Sequence, residues 1–397
     1  YSPTGSPLWA VRGGATSGDS PLAVAVDDKN AYVLGKFFED ATFGSVSVTK
    51  SSNSTPDLVV FKVDDTGTVA WATGLKVYAP TGGGIGVDGQ GNVYISSSFF
   101  YSSAVGKTSV IGTTTLQTAG AQDIFVAKLS KSGAPLWAVT AGGAGADEAR
   151  DLAVDEQGNT FVTGKFEGTA TFGSHKRLSN GNWDTFVSKL DSSGNFVWAA
   201  SGGGSYRDAG TALALGRDGG IYVTGEYDLA STSTLATYGK HQVKQLGKFV
   251  GNIDSAAFTA KLDAMGNFVW ATANGVEGTG TLQSRSIAVG KDGRVYVVGF
   301  ANPGCSGGVL VFAPAKFSIP IRATAGYIEA MEAGTGKTTW ASVANGATDN
   351  RARAEAVAVS PSGEVHVGGS MLGKVNFEGK TVSASTADFQ AFLWTMK

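Results

Sequence analysis

The sequence predicts an all-β chain built from six copies of one four-stranded unit. Three observations carry that expectation: a tryptophan recurs in one context, three apolar strand motifs return in fixed order between the tryptophans, and both chain ends fall inside a repeat. Trp occurs eight times in 397 residues, and six of the eight are Trp9, Trp71, Trp137, Trp198, Trp270 and Trp340, each followed by Ala and preceded by Leu, Ala, Val or Thr. Their separations are 62, 66, 61, 72 and 70 residues, a period that calls for a repeat reading before any other.

Strand A is Ala/Val-rich and ends at Val26, Val87, Val154, Leu215, Val289 and Val359. Strand B carries an aromatic-type column at Tyr32, Tyr94, Phe161, Tyr222, Tyr296 and His366. Strand C holds Val59, Phe125, Phe186, Phe258, Tyr327 and Phe392, each four residues before Val63, Leu129, Leu190, Leu262, Met331 and Met396. The tryptophan marks strand D. From the A column to the B column is 6 or 7 residues, and from the end of C to the next Trp is 8 or 9. Both intervals leave room only for a hairpin turn, and Gln157-Gly158-Asn159 or Ser193-Gly194-Asn195 supply suitable turn residues. The B-to-C intervals are long and uneven, 22, 26, 20, 31, 26 and 21 residues, and read as irregular loops.

Four antiparallel strands per repeat with no helix-period segment point to propeller blades. The expected architecture is one six-bladed β-propeller over residues 1–397, with blades near 12–75, 76–141, 142–203, 204–275, 276–345, and 346–397 plus 1–11. The chain opens with a lone D strand around Trp9 and closes on strand C, so the first strand is expected to complete the last blade and close the ring.

Composition narrows the partners. Lys+Arg 31 against Asp+Glu 33 gives a net charge of −2 with no run of five like charges, which implies neither a nucleic-acid nor an acidic-membrane partner. Charged residues make up only 16% beside 57 Gly, the composition of a turn-rich, weakly charged β surface as in many exported proteins. Cys305 is the single cysteine, which excludes an intramolecular disulfide, and no apolar run approaches the roughly 18 residues that span a bilayer. An opening at Tyr1 without Met reads as a processed or trimmed product.

Segments such as Gly158-Asn159-Thr160-Phe161-Val162-Thr163-Gly164, followed by Asp184-Thr185-Phe186-Val187-Ser188-Lys189-Leu190-Asp191 and Asn195-Phe196-Val197-Trp198-Ala199, resemble the SBBP, or β-propeller, repeat of bacterial exported proteins. The resemblance spans the whole chain and matches all four strand motifs in order, although that family's name refers to seven blades and six copies are present here. It implies export to the cell surface or medium, and it implies no catalytic residue.

Each motif with chemical potential has a packing alternative. An invariant register in six copies assigns the tryptophans to the gaps between blades and not to a sugar platform. Ala333-Gly334-Thr335-Gly336-Lys337-Thr338 misses the phosphate-loop pattern because Met331 stands where Gly is required, and no helix follows. Gly304-Cys305-Ser306-Gly307-Gly308 matches G-x-S-x-G formally but lacks the strand-to-helix turn and the His-acid pair of a hydrolase. His366 sits in the packed aromatic column, and His175 with His241 has no Cys or Glu cluster for a metal. Asp-Gly turns such as Asp88-Gly89 lack a calcium ligand set. No metal and no cofactor are expected.

What remains is positional. In an up-and-down blade the B-to-C and D-to-A connections share one face, and the candidate ligand-binding residues there are Asp147, Arg150, Tyr206, Arg207, Asp208, Arg285, Arg351, Phe100, Tyr101 and Trp183. Asp19, Tyr238, His241 and Phe312 fall on the same side; Asp19, Asp147 and Asp208 align with one another, and hydrogen bonding to loop backbone would also explain them. The expected function is an exported, non-catalytic propeller presenting this face to a polysaccharide or cell-surface protein. The alternatives are a structural subunit of a surface assembly and a glycan-active lyase or hydrolase.

Overall fold

The computed structural model describes residues 8–51, 55–100, 109–228, 235–243, 255–278, 280–303, 307–384 and 388–396. Every regular element among them is a β-strand, and every paired sheet is antiparallel. No helix is long and apolar enough to cross a membrane. The chain divides into two compact units, residues 1–178 with 188–199, and residues 179–187 with 200–397.

The expected strand motifs fall on observed strands. In the first repeat A is Ser20–Val26, B is Asn30–Phe37, C is Asp57–Asp64 and D is Val69–Leu75, hydrogen-bonded in that order. The same order recurs through the fifth repeat, where A is Thr281–Val289, B Arg294–Asn302, C Ala325–Glu332 and D Thr338–Gly346. Strands B and C are the most buried in the first five repeats; Val93 through Phe99 have no exposed member, as expected of a central strand covered on both faces.

Within each unit neighbouring sheets pack face to face. Leu34, Leu58 and Val60 of the first sheet share one apolar cluster with Ile85, Val93, Ile95 and Phe125 of the second. The fourth and fifth sheets share another around Tyr222, Trp270, Leu282 and Val297, and the fifth and sixth a third around Val298, Ile328, Val357 and Val367. The A strands lie against one another in sequence, first to third in one unit and fourth to sixth in the other.

Four of the recurrent tryptophans reach the following C-to-D turn. The indole N–H donates to the carbonyl of Asp65 from Trp9, of Lys131 from Trp71, of Ser192 from Trp137 and of Ala333 from Trp270, at 3.0–3.2 Å. Across the strands the ring meets the B-column aromatic of its own sheet, as in Tyr94–Trp137 at 6.0 Å and Tyr222–Trp270 at 6.1 Å. These tryptophans therefore act as latches on the turns, buried at Trp270 and more open at Trp9.

Two expectations change. The B-to-C connections are not irregular loops: each contains a short hairpin, such as Ala41–Phe43 with Val46–Val48, Thr169–Phe172 with His175–Leu178, and Ala236–Tyr238 with His241–Val243. Four of these hairpins pair with the end of the preceding D strand, Gly142 and Gly143 facing Thr171 and Ala170, for example. A left-handed residue makes the turn, with φ near 60° at Gly44, Gly112, Gly173 and Gly239, which only glycine adopts without steric cost. Second, the sixth sheet is three-stranded, with A at Arg351–Val359, B at Val365–Leu372 and C at Gln390–Met396, and no fourth strand pairs with C among the described residues. The N-terminal segment lies on the first repeat in the place that D strands take on their successors: Gly13–Gly14 pairs with the first hairpin, and Trp9 caps the first C-to-D turn.

Candidate functional site

Strand direction alternates, so the A-to-B and C-to-D turns lie at one end of each sheet. The D-to-A connections, the ends of B and the starts of C lie at the other. Three features occupy this second end.

The first is a set of buried aspartates. Asp147 is 0% and Asp208 1% exposed, so they lie beneath the rim where ligand contact was expected. Each bonds the chain that passes over it: Gly143 and Glu167 amides donate to Asp147, and the Gly204 amide donates to Asp208 at 2.8 Å. Asp19 does the same for Ala15 and Phe38. Each deeply buried member also faces a second aspartate at the start of strand C, Asp123 opposite Asp147 and Asp184 opposite Asp208. Burial pushes Asp147 up to about 7, with the facing Asp123 adding to the rise against two backbone N–H donors. Burial likewise carries Asp208 to about 8, reinforced by Asp184 and Asp228, and Asp184 to about 6. A Cβ on Gly203 would stand 2.7 Å from Asp184 Oδ1 and 3.0 Å from Asp208 Oδ2, so glycine at this point of strand D makes the room both carboxyls occupy. These pairs fasten the D-to-A connection from below.

The second feature is exposed. Trp183, just before the third strand C (Asp184–Leu190), forms a parallel main-chain bridge with Arg207, just before the fourth strand A (Asp208–Leu215). The Arg207 guanidinium lies 5.6 Å from the Trp183 ring centroid and binds Asp228 at 2.5 Å, with its side chain 55% exposed. Tyr206 beside it is also exposed. The arrangement sets a fixed, exposed guanidinium over an indole ring.

The third feature gathers arginines. Strand A carries a β-bulge at one place in five repeats, and the extra residues are Leu22, Arg150, Thr211, Arg285 and Glu355. Bulges re-aim side chains, and here Arg285 and Glu355 approach to 3.6 Å from neighbouring sheets. Arg285 and Arg353 both lie over the Phe300 ring, at 5.1 and 4.7 Å. Arg351 is exposed at the start of its strand.

In the other unit, Phe100 ends strand B at 38% exposure, and the Arg150 side chain lies 3.8 Å from Glu148. A cavity of about 210 Å³ beside Asp19, Lys36 and Phe43 falls short of the roughly 300–1,000 Å³ of small-molecule sites. Tyr101, Cys305 and Ser306 lie outside the described residues. Tyr238 and Phe312, expected on the rim, are 0% exposed, because they are hairpin residues packed on the preceding strand D. His241 is paired through Nε2 with the Phe268 carbonyl at 3.2 Å. Among the described residues no group of three or more His, Cys, Asp or Glu forms a metal site.

Sequence reasoning missed Asp123, Asp184, Phe300 and Phe389. The first two had a signal, since Asp57, Asp123 and Asp184 each stand two residues before the strand-C column. The two phenylalanines had none, because only the tertiary arrangement brings arginines to them.

No family model matches the chain. It is 24% identical over 208 residues to an uncharacterized WD repeat-containing protein of Acanthamoeba polyphaga mimivirus, a match that takes in 45% of this chain and only 14% of the viral protein. Among solved structures it is similar to Kuenenia stuttgartiensis hydrazine synthase, at 11% identity over 89% of this chain and 76% of that one with a TM-score of 0.44. It is also similar to the NanB sialidase of Streptococcus pneumoniae, at 10% identity over 89% and 66% of the two chains with a TM-score of 0.44.

Proposed function

We propose that the six sheets are the blades of one exported, non-catalytic β-propeller that binds a polysaccharide or cell-surface protein on the side carrying the D-to-A connections. The observation that carries this reading is the exposed Arg207 guanidinium set over the half-buried Trp183 ring, held by a main-chain bridge and by Asp228, with exposed Tyr206 next to it in the chain. The resemblance to exported SBBP repeats and the low charge support export. The buried aspartates favour binding over catalysis, because side chains 0–1% exposed sit under backbone where no substrate atom reaches them.

Screening the purified chain on glycan and surface-protein arrays tests the function directly. Arg207→Ala is expected to weaken binding about tenfold or more with the fold intact, since a desolvated guanidinium contact is worth more than about 1.4 kcal/mol. Lys131→Ala, at the tight-turn end, should leave affinity unchanged. Equal affinities for the two variants, or a hydrogen-exchange footprint on the tight turns, would sink the site.

Ring closure in this reading assigns residues 1–11 to the fourth strand of the sixth blade. Deleting residues 1–14 removes the Trp9 cap on the Asp65 carbonyl and the strand beside the first hairpin, exposing an unpaired edge. Lower thermal stability or self-association on gel filtration is expected; an unchanged melting curve with a monomeric product would count against closure.

A further inference from the structure

The bulged strand A of the fifth sheet and the first residues of strand A in the sixth bring Arg285 and Arg353 to one ring, with Arg351 on the same strand and Glu355 beside Arg285. Arg285 and Arg353 stack over the same ring, Phe300, which is 5% exposed. Arg353 lies at the same time 5.8 Å from Phe389, a ring left 48% exposed. Arg351 precedes Arg353 by two residues, the strand spacing that points both side chains to one face of the sheet. Against these three positive charges stands Glu355, 3.6 Å from Arg285 Nε and itself 43% exposed. Arg285 also donates to the Gln283 amide oxygen at 3.0 Å. Arg353 has no carboxylate partner among the described residues, and its Nε is a buried donor without a hydrogen-bond acceptor.

Such a grouping is costly unless something negative completes it. Neighbouring like charges repel, and a buried N–H left unpaired forfeits a hydrogen bond. An anion held beside Arg285 and Arg353 would supply the missing charge, in the planar two-donor geometry in which guanidinium holds carboxylate. Phe389 adds an exposed aromatic face beside it, which suits the C–H face of a sugar ring carrying that carboxylate and gives a small inorganic anion no advantage.

We propose that Arg285 and Arg353, with Arg351 at the rim and Phe389 as the stacking face, form a subsite for an acidic sugar, a hexuronate within a polysaccharide. This subsite rests on the binding reading above and lies on residues other than the Trp183–Arg207 surface.

Calorimetric titration with an oligogalacturonate, its methyl-esterified form and inorganic phosphate tests the subsite. The free acid is expected to bind at least tenfold tighter than the ester, and its affinity to fall as salt rises. Arg353→Met should abolish the preference for the acid, Arg351→Ala, an exposed change that leaves the stacked pair in place, should reduce it several-fold, and Phe389→Ala should weaken both sugars. Equal binding of acid and ester, or unchanged acid binding in both arginine variants, would overturn the subsite. Phosphate binding as tightly as the oligosaccharide would overturn the sugar assignment. Should the oligogalacturonate fail while an array partner binds and is lost with Arg207→Ala, the acidic-sugar inference falls and the binding reading stands; should nothing bind, both fall.

Discussion

Trp270→Ala is expected to cost about 3–5 kcal/mol of stability, the range for deleting a large buried aromatic. Trp270 is 7% exposed and stacks against Tyr222. It also belongs to a latch in which one acceptor serves two donors: the Ala333 carbonyl receives the Trp270 indole N–H at 3.1 Å and the Lys261 ammonium at 3.3 Å, while the Tyr222 hydroxyl donates to Asp218 at 2.9 Å. Lys261 is anchored in turn by Asp218 at 2.6 Å, and its charge faces the Tyr222 ring at 5.1 Å. The substitution therefore leaves a cavity between the fourth and fifth sheets and loosens the turn that Ala333 begins. Trp270→Phe keeps most of the apolar volume and removes the indole donor, so a loss nearer 1–2 kcal/mol is expected. Trp9→Ala should also cost less, since Trp9 is 41% exposed. Urea denaturation of the three variants checks the order; a Trp270→Ala cost below about 1 kcal/mol would mean that the tryptophans are surface features and not latches.

The repeat was legible because its period-two apolar strands and Asp-Gly or Ser-Gly turns are local signals. Strand A ends at Val26, Val154, Leu215, Val289 and Val359, the residues marked from sequence alone. The hairpins between B and C were concealed by their flanks. Each spans only a few residues, while linkers of changing length on either side spread the intervals from 20 to 31 residues. The turn signal was nevertheless present in Phe43-Gly44, Phe172-Gly173 and Tyr238-Gly239, an aromatic followed by a left-handed glycine.

The candidate site was legible only in part. Placing Trp183 and Arg207 on one side of the sheets followed from strand parity, but their contact depends on a main-chain bridge between segments 24 residues apart. Sequence alignment grouped Asp19, Asp147 and Asp208, yet it could not tell a buried carboxyl under a connection from one on its surface. That distinction comes from Asp123 and Asp184, which strand C delivers from another part of the repeat.

Stability should fall as pH rises from about 5 to 9, and Asp208→Asn should remove part of that fall. An aspartate in the unfolded chain releases its proton near pH 4, whereas burial holds Asp208 protonated in the folded chain up to about 8. Between those values the folded state keeps a proton the unfolded state has lost. The contribution is fully present below the unfolded value and disappears as pH passes the folded one, at up to about 1.4 kcal/mol per pH unit for each group. Asp147 and Glu329, both raised by burial to about 7, and Asp184 at about 6 act in the same direction. Turn aspartates such as Asp88, held low by their Asn92 and backbone donors in spite of burial, act oppositely and matter only in acid. Asparagine at 208 keeps the acceptor for the Gly204 amide and brings a donor toward the Asp184 carboxyl, whose Oδ1 is buried without a hydrogen-bond partner. Thermal melts of the two proteins should coincide near pH 5 and separate in favour of Asp208→Asn by pH 9, by an amount on the order of a few kcal/mol. A wild-type chain equally stable at both pH values, or a variant whose pH profile runs parallel to it, would show that the buried carboxyls do not hold their protons.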